Sequence, residues 1–228
     1  PKGKRAIVVL DEFQEVGDLL PDDRFERVMR SVIQRHSQVS YIFLGSRYHM
    51  LRRMFTDHNR PFYKSALTVF LDKPPLEESI RFVVSRFRSG GLKIGEKEAA
   101  QLVAKAENIP YFIQQVGFEV FRRNRDASRR QVAESDIAAA YAGLVGLNRD
   151  QYEQLMLNFS TAQKKLLVAL ANENTREFDD AYRRRHLLGP SSTVNSAKRK
   201  LIEDGHIEQF PDGCRIADPF LTEYLRLV

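Results

Sequence analysis

Cysteine is almost absent: Cys214 stands alone among 228 residues. That excludes an internal disulfide framework and fits a reducing, cytoplasmic compartment. A metal-ligand pattern is lacking too. His36, His49, His58, His186 and His206 fall at irregular distances with no cysteine pair beside them, which argues against a structural metal site. No stretch approaches the ~20 apolar residues of a membrane helix, so no membrane partner is expected. The basic start, Pro1 to Arg5, leads into a strand rather than an export signal. Charge of one sign is modest: 36 Lys+Arg against 30 Asp+Glu leave +6, which allows a polyanionic partner without demanding one. There is no internal repeat or low-complexity tract. The chain opens on Pro1 rather than Met and reads as a fragment.

What is present describes an ordinary globular chain, 43% hydrophobic and 29% charged, long enough for two or three small domains and a real core. The stretch AIVVLDEFQEV (6–16) runs apolar residues straight into Asp11 and Glu12. Such a run predicts a strand buried on both faces, and acids at its carboxyl end lie where open α/β sheets bind ligands. Asp22 and Asp23 offer caps for a helix with Phe25, Val28, Met29, Val32 and Ile33 on one face. VSYIFLGS (39–46) predicts a second buried strand, a short helix follows from Tyr48 to Met54, and ALTVFL (66–71) predicts a third strand. Strands separated by helices imply a parallel sheet.

Residues 76–147 read as helical throughout, with four apolar stripes: Ile80, Val83, Val84, Phe87; Ala99, Leu102, Val103, Ala106; Ile113, Val116, Val120, Phe121; and Ile137, Ala140, Tyr141, Leu144, Val145. Gly90-Gly91 and the run Asn108 to Pro110 break them. The basic run FRRNRDASRR (121–130) is either a solvated helix end or a phosphate-facing patch. Ser160 and Gln163 form a capping box ahead of another apolar stripe. A second helix follows around Phe178 to Leu188, a third carries Val194, Ala197 and Leu201 inward, and a hairpin turns at Pro211-Asp212-Gly213. Three helices and a hairpin are the plan of a winged helix.

A strand-end Asp-Glu pair suits magnesium-dependent phosphoryl transfer, the first acid holding the metal and the second polarising a water. In a parallel sheet the end of the second strand, Gly45-Ser46-Arg47, lies beside it. There a Ser46 hydroxyl either meets a phosphate or simply starts the next helix. Taken in order, VVLDEFQE, YIFLGSRYHML, MFTDHNRPFY and NIPYFIQQVG resemble the P-loop ATPases of the AAA+ class, within them the signal-transduction (STAND) branch with a C-terminal winged helix. The resemblance covers nearly the whole chain. It implies an α/β plus α fold: a partial parallel ATPase sheet (1–73), a helical lid (74–147) and a winged helix (148–228). It further implies ATP and Mg2+ as cofactors, Asp11 and Glu12 as the Walker B acids with Asp11 on the metal, Ser46 at the sensor 1 position, and Pro110 near the nucleotide base. Asn108 stands where relatives carry Gly, and Lys64-Ser65 where they carry a Gly-Arg pair. Arg60 either reaches a phosphate, in cis or across a homo-oligomer interface, or is a solvated loop arginine.

Half of an ATPase site is missing. No G-x-x-x-x-G-K-[ST] stretch exists, and Gly90-Gly91-Leu92-Lys93 lacks its spacing and its hydroxyl. Without that loop no backbone cradle holds the β- and γ-phosphates. The implied parent is an ATPase; this chain alone is expected to be inactive, with an incomplete sheet. On the third helix of the winged domain, Ser192, Asn195, Ser196 and Arg199 suit base edges, while Lys198 and Lys200 suit phosphates. Against DNA, residues 160–228 hold 11 Lys+Arg and 10 Asp+Glu, a net of +1. DNA and a protein or intramolecular partner both stay open, as does a non-catalytic docking module.

Overall fold

The computed structural model describes residues 5–18, 23–45, 48–175, 178–210 and 213–228, with Asp18, Tyr48 and His49 as backbone only. The chain divides into two compact units, Pro1–Leu71 and Asp72–Val228. It is mostly helical, with a small parallel sheet in the first unit and a winged helix closing the second.

In the first unit Ala6–Leu10 (β1) and Val39–Phe43 (β2) pair in parallel, Ala6 opposite Val39 and Leu10 opposite Phe43. Parallel neighbours need a crossover, and Arg24–Ile33 (α1) lies within it. One sheet face carries Leu10 and Phe43 onto a core of Phe13, Met54, Phe55 and Phe62, joined by Met29 and Ile33. The Phe13 ring lies 4.4 Å from Phe43 and meets Phe62 edge-on at 5.3 Å. Met54 and Phe55 come from Tyr48–Thr56 (α2).

Three expectations change here. Ile7, Val9 and Ile42 on the other sheet face are exposed, Ile7 by 70%, so the strands are buried on one face rather than two. Among the described residues of this unit no element covers that face. The segment 66–71 forms no strand; Leu67 and Leu71 are 90% and 92% exposed. A strand is held by a ladder to a neighbour, and the described sheet consists of β1 and β2 alone. Finally, the α1 stripe splits. Met29 and Ile33 turn inward with Glu26, while Phe25, Val28 and Val32 are exposed. Asp23 occupies the N-cap at φ 53 without capping by its side chain; its carboxylate goes to Arg60 instead. Asp22 lies outside the described residues.

The second unit opens with four helices at the four predicted stripes: Leu76–Ser89 (α3), Glu96–Lys105 (α4), Pro110–Asp126 (α5) and Glu134–Leu147 (α6). The basic run at the end of α5 is largely tied down, Arg122 and Arg123 on Glu119 and Arg129 on Asp136. Arg149–Leu157 (α7) follows α6 after the single residue Asn148. Then come Thr161–Asn172 (α8), Asp180–Arg185 (α9), Ser191–Glu203 (α10), the antiparallel hairpin Ile207–Phe210 (β3) and Gly213–Ile216 (β4), and Pro219–Leu227 (α11). The Ser160–Gln163 capping box is formed in both directions. The hairpin's Pro211-Asp212 lie outside the described residues.

One hydrophobic core runs from the four helices into the winged helix, from Leu102, Val116 and Ile137 to Leu166, Leu201 and Phe220. Polar bonds seal the junction. Tyr141 donates to the Pro219 carbonyl at 2.9 Å and Tyr152 to Asp218 Oδ2 at 2.8 Å. Asp218 Oδ1 meanwhile accepts from the Phe220 and Leu221 amides, capping α11. Burial pushes both tyrosine hydroxyls up, with Asp218 adding to the rise at Tyr152, so both remain donors at ordinary pH.

His206, at the start of the wing, stands edge-on to Phe159 at 4.8 Å. Burial holds it below the ordinary 6.5 of histidine, with Asp204 opposing. A lowered folded pKa means the unfolded chain binds the extra proton first. The stability this group contributes is full above about 6.5 and lost as pH falls through the lower folded value. We expect His206→Gln to flatten the acid side of the pH–Tm curve below about pH 6.5, measured by thermal melts alongside the parent chain.

Candidate nucleotide-site acids and winged-helix face

The two strands of the first unit stay zipped beyond their ends. The Leu44 amide donates to the Leu10 carbonyl and the Phe13 amide to the Leu44 carbonyl, both at 2.8 Å. This brings the residues after β1, Asp11 and Glu12, beside Gly45 at the end of β2. Asp11 is exposed, and its Oδ1 accepts the Glu12 amide at 2.9 Å. Glu12 is exposed as well and adopts φ 48, a left-handed conformation that strains a residue with a Cβ. Ser46, the expected third member, lies outside the described residues, as does Arg47.

Gln14, which no spacing rule singled out, is buried behind the pair. Its Nε2 donates to Glu12 Oε2. Its Oε1 is buried without a hydrogen-bond partner and packs on Gly45 so closely that a Cβ there would sit 2.0 Å away. β2 ends at Phe43, two residues before the expected stop at Gly45, and Gly45 makes room for the Gln14 side chain.

Arg60 is not a solvated loop residue. Its Nη1 donates to Asp23 at 2.6 Å and its Nη2 to Glu26, and the side chain is 18% exposed. Glu26 is 1% exposed. Burial raises its pKa, Arg60 pulls it back and Asp23 adds to the rise. The structure brings Arg60 together with these two carboxylates rather than with Asp11 or Glu12.

In the second unit Pro110 opens α5 and is exposed. Glu107 and Asn108 before it take φ 50 and 55. That explains the departure noted at Asn108. The position needs a left-handed residue, for which Gly is best and Asn the usual substitute. Asn108 also donates its Nδ2 to the Pro74 carbonyl at 2.7 Å, and Lys73 Nζ donates to the Glu107 carbonyl at 2.8 Å. On α10, Ser192, Asn195, Ser196 and Arg199 are exposed, opposite buried Val194, Ala197 and Leu201. Lys198 is turned over the Phe178 ring at 5.6 Å, and Lys200 pairs with Asp204 at 2.9 Å.

A family described as a probable winged helix domain matches residues 150–227. Among solved structures, the Walker-type ATPase paby2304 of Pyrococcus abyssi superposes with a TM-score of 0.73 at 21% identity, covering 97% of this chain and 63% of that one. A point variant of RuvB from Thermotoga maritima gives 0.52 at 14% identity, covering 93% and 67%. The fold is AAA+-like and ends in a winged helix. The chain spans less than two thirds of the Pyrococcus protein, and no curated protein sequence matches it. Among the described residues no helix is long and apolar enough to cross a membrane, and no cluster of three or more acidic, histidine or cysteine side chains stands ready for a metal ion. Mg2+ takes one or two carboxylates and keeps several waters, and the exposed Asp11 carboxylate is a ligand of that type.

Proposed function

We propose that this chain is the portion of a cytoplasmic AAA+ switch protein from Walker B to winged helix, and that its parent binds and hydrolyses ATP. The observation that carries the reading is the zipped parallel pair that sets Asp11-Glu12 beside Gly45 at one sheet edge. The exposed sheet face supports it, because it suits a core whose phosphate-cradling half is a different stretch of chain. The assignments are a core portion (1–73), a lid (74–147) and a winged helix (148–228), with Pro110 near the base and Ser46 near the γ-phosphate.

Asp11 would hold Mg2+, directly or through water, and the ion would supply charge neutralisation on the phosphates. Glu12 takes a proton from the attacking water. The water oxygen bonds to the γ-phosphorus while the bond to the bridging oxygen breaks, and that electron pair leaves with ADP. Closure of the lid on nucleotide then moves the winged helix, which shares its core. Arg60 reaches a phosphate, in cis or from a second copy, only if Asp23 or Glu26 releases it.

Titration calorimetry with Mg-ATP, on this chain and on the full-length protein, tests the reading. Binding by the full-length protein is the expected result, and binding by neither overturns it. In the full-length protein Glu12→Gln is expected to lower turnover by about 10²–10⁴ with binding retained; unchanged turnover removes Glu12 from the chemistry.

The second reading is a winged helix that docks without nucleotide chemistry. The exposed Ser192, Asn195, Ser196 and Arg199 favour it. With Lys198 and Lys200 engaged internally, that face suits a protein or intramolecular partner better than DNA phosphates.

A further inference from the structure

The structure assigns Gln14 as a positioning residue for Glu12, an inference that rests on the nucleotide-hydrolysing reading above. A glutamine side chain rarely goes into a core without both ends satisfied. Gln14 is 1% exposed, yet only its Nε2 end has a partner, the Glu12 carboxylate. The amide orientation is fixed by that partner, since an ionised carboxylate accepts only and requires the NH2 end. The Oε1 end is then packed against Gly45. Burying an amide oxygen unpaired is unfavourable, which a purely structural residue such as Leu or Met at position 14 would avoid.

What the arrangement secures is Glu12. Its backbone is left-handed at φ 48, and its side chain leaves the sheet edge on the solvent side. A donor on a side chain that is itself buried holds one oxygen of that carboxylate. A base taking a proton from water must be held within a few tenths of an ångström of its working place. The backbone zipper through Leu44 holds the platform from which Gln14 reaches, so the register of β1 on β2 sets the carboxylate's position.

The test has two arms. In ¹⁵N-labelled chain without nucleotide, the Gln14 side-chain amide protons are expected to resonate away from the solvent-exposed glutamines and to exchange slowly, and Glu12→Gln should move them. Resonances unmoved by Glu12→Gln would overturn the proposal even if every Gln14 variant fails to fold. In the full-length protein, Gln14→Leu is expected to lower kcat by about 10- to 100-fold with KM and nucleotide Kd unchanged. In a Glu12→Gln background the same replacement should cost nothing further. Equal losses in both backgrounds, or a change in KM alone, would show a structural role and overturn it. If Glu12→Gln itself leaves turnover intact, the hydrolytic reading has failed; if only Gln14→Leu does so, the positioning role alone has failed.

Discussion

Replacing Arg60 with alanine is expected to destabilise the first unit by about 3–5 kcal/mol, the usual result of removing one partner from a buried ion pair. Glu26 is 1% exposed and already raised by burial, with Arg60 the main influence pulling it back. Without the guanidinium, Glu26 must either stay charged in the core or bind a proton. The sign of the pH dependence follows. A folded pKa raised above the ordinary 4.5 means the folded state binds the proton first, so stability present at acidic pH is lost as pH rises through the raised value. Urea unfolding of Arg60→Ala at pH 5 and pH 8 should therefore give a lower midpoint at pH 8, with a larger gap than the parent shows. Glu26→Gln in the same chain should recover much of the loss and remove the gap, because no uncompensated charge remains. If Arg60→Ala unfolds at the parental midpoint, the ion network is ornamental and the guanidinium is available for other work. The expected outcome means instead that a phosphate must compete with Asp23 and Glu26 for Arg60.

That network was not legible in the sequence, and the reason is physical. Glu26 sits on a helix whose apolar residues suggest the face Phe25, Val28, Met29, Val32 and Ile33, which places Glu26 outside it. The pairing partner is 34 positions away, and no periodicity reports a long-range ion pair. The four helices of 76–147 were legible as four stripes with two of their three breaks, because each carries an apolar stripe of the 3.6 period and all four bury it in a single core; the break between α5 and α6 was not. The segment 66–71 shows the converse. Its composition is that of a strand, but composition supplies only half of a ladder, and the other half has to be provided by a neighbour. The site divides in the same way. Asp11 and Glu12 announced themselves by following an apolar run, and Asn108 by interrupting a familiar pattern. Gln14, two residues beyond Glu12, gave no signal except its place in the quoted stretch, since its role depends on the packing of Gly45.

Truncating Phe220 to alanine should have its largest effect at the junction of the four helices with the winged helix. The ring is 2% exposed and is held edge-on by Phe112 of α5 at 5.1 Å and by Tyr141 of α6 at 5.2 Å. It thus belongs to α11 while filling space between two helices of the other half. Removing a fully buried Phe costs about 3–5 kcal/mol, and here the cavity opens where the two halves meet. In the parent, backbone amides of α5 and α6 are expected to exchange with deuterium together with those of α8 and α10, as one cooperative unit with a continuous core. In Phe220→Ala the two sets should separate, the winged helix opening at lower denaturant than the lid. Leu102→Ala is the control: Leu102 is fully buried within α4, so its truncation should lower both sets in parallel. If the two sets stay coupled in Phe220→Ala, the single-residue link at Asn148 carries the coupling instead, by joining α6 to α7. Separation would locate the coupling in the aromatic junction. In the proposed switch, that junction is where motion of the lid would be passed to the winged helix, and Phe220→Ala would leave nucleotide binding intact while disconnecting its output.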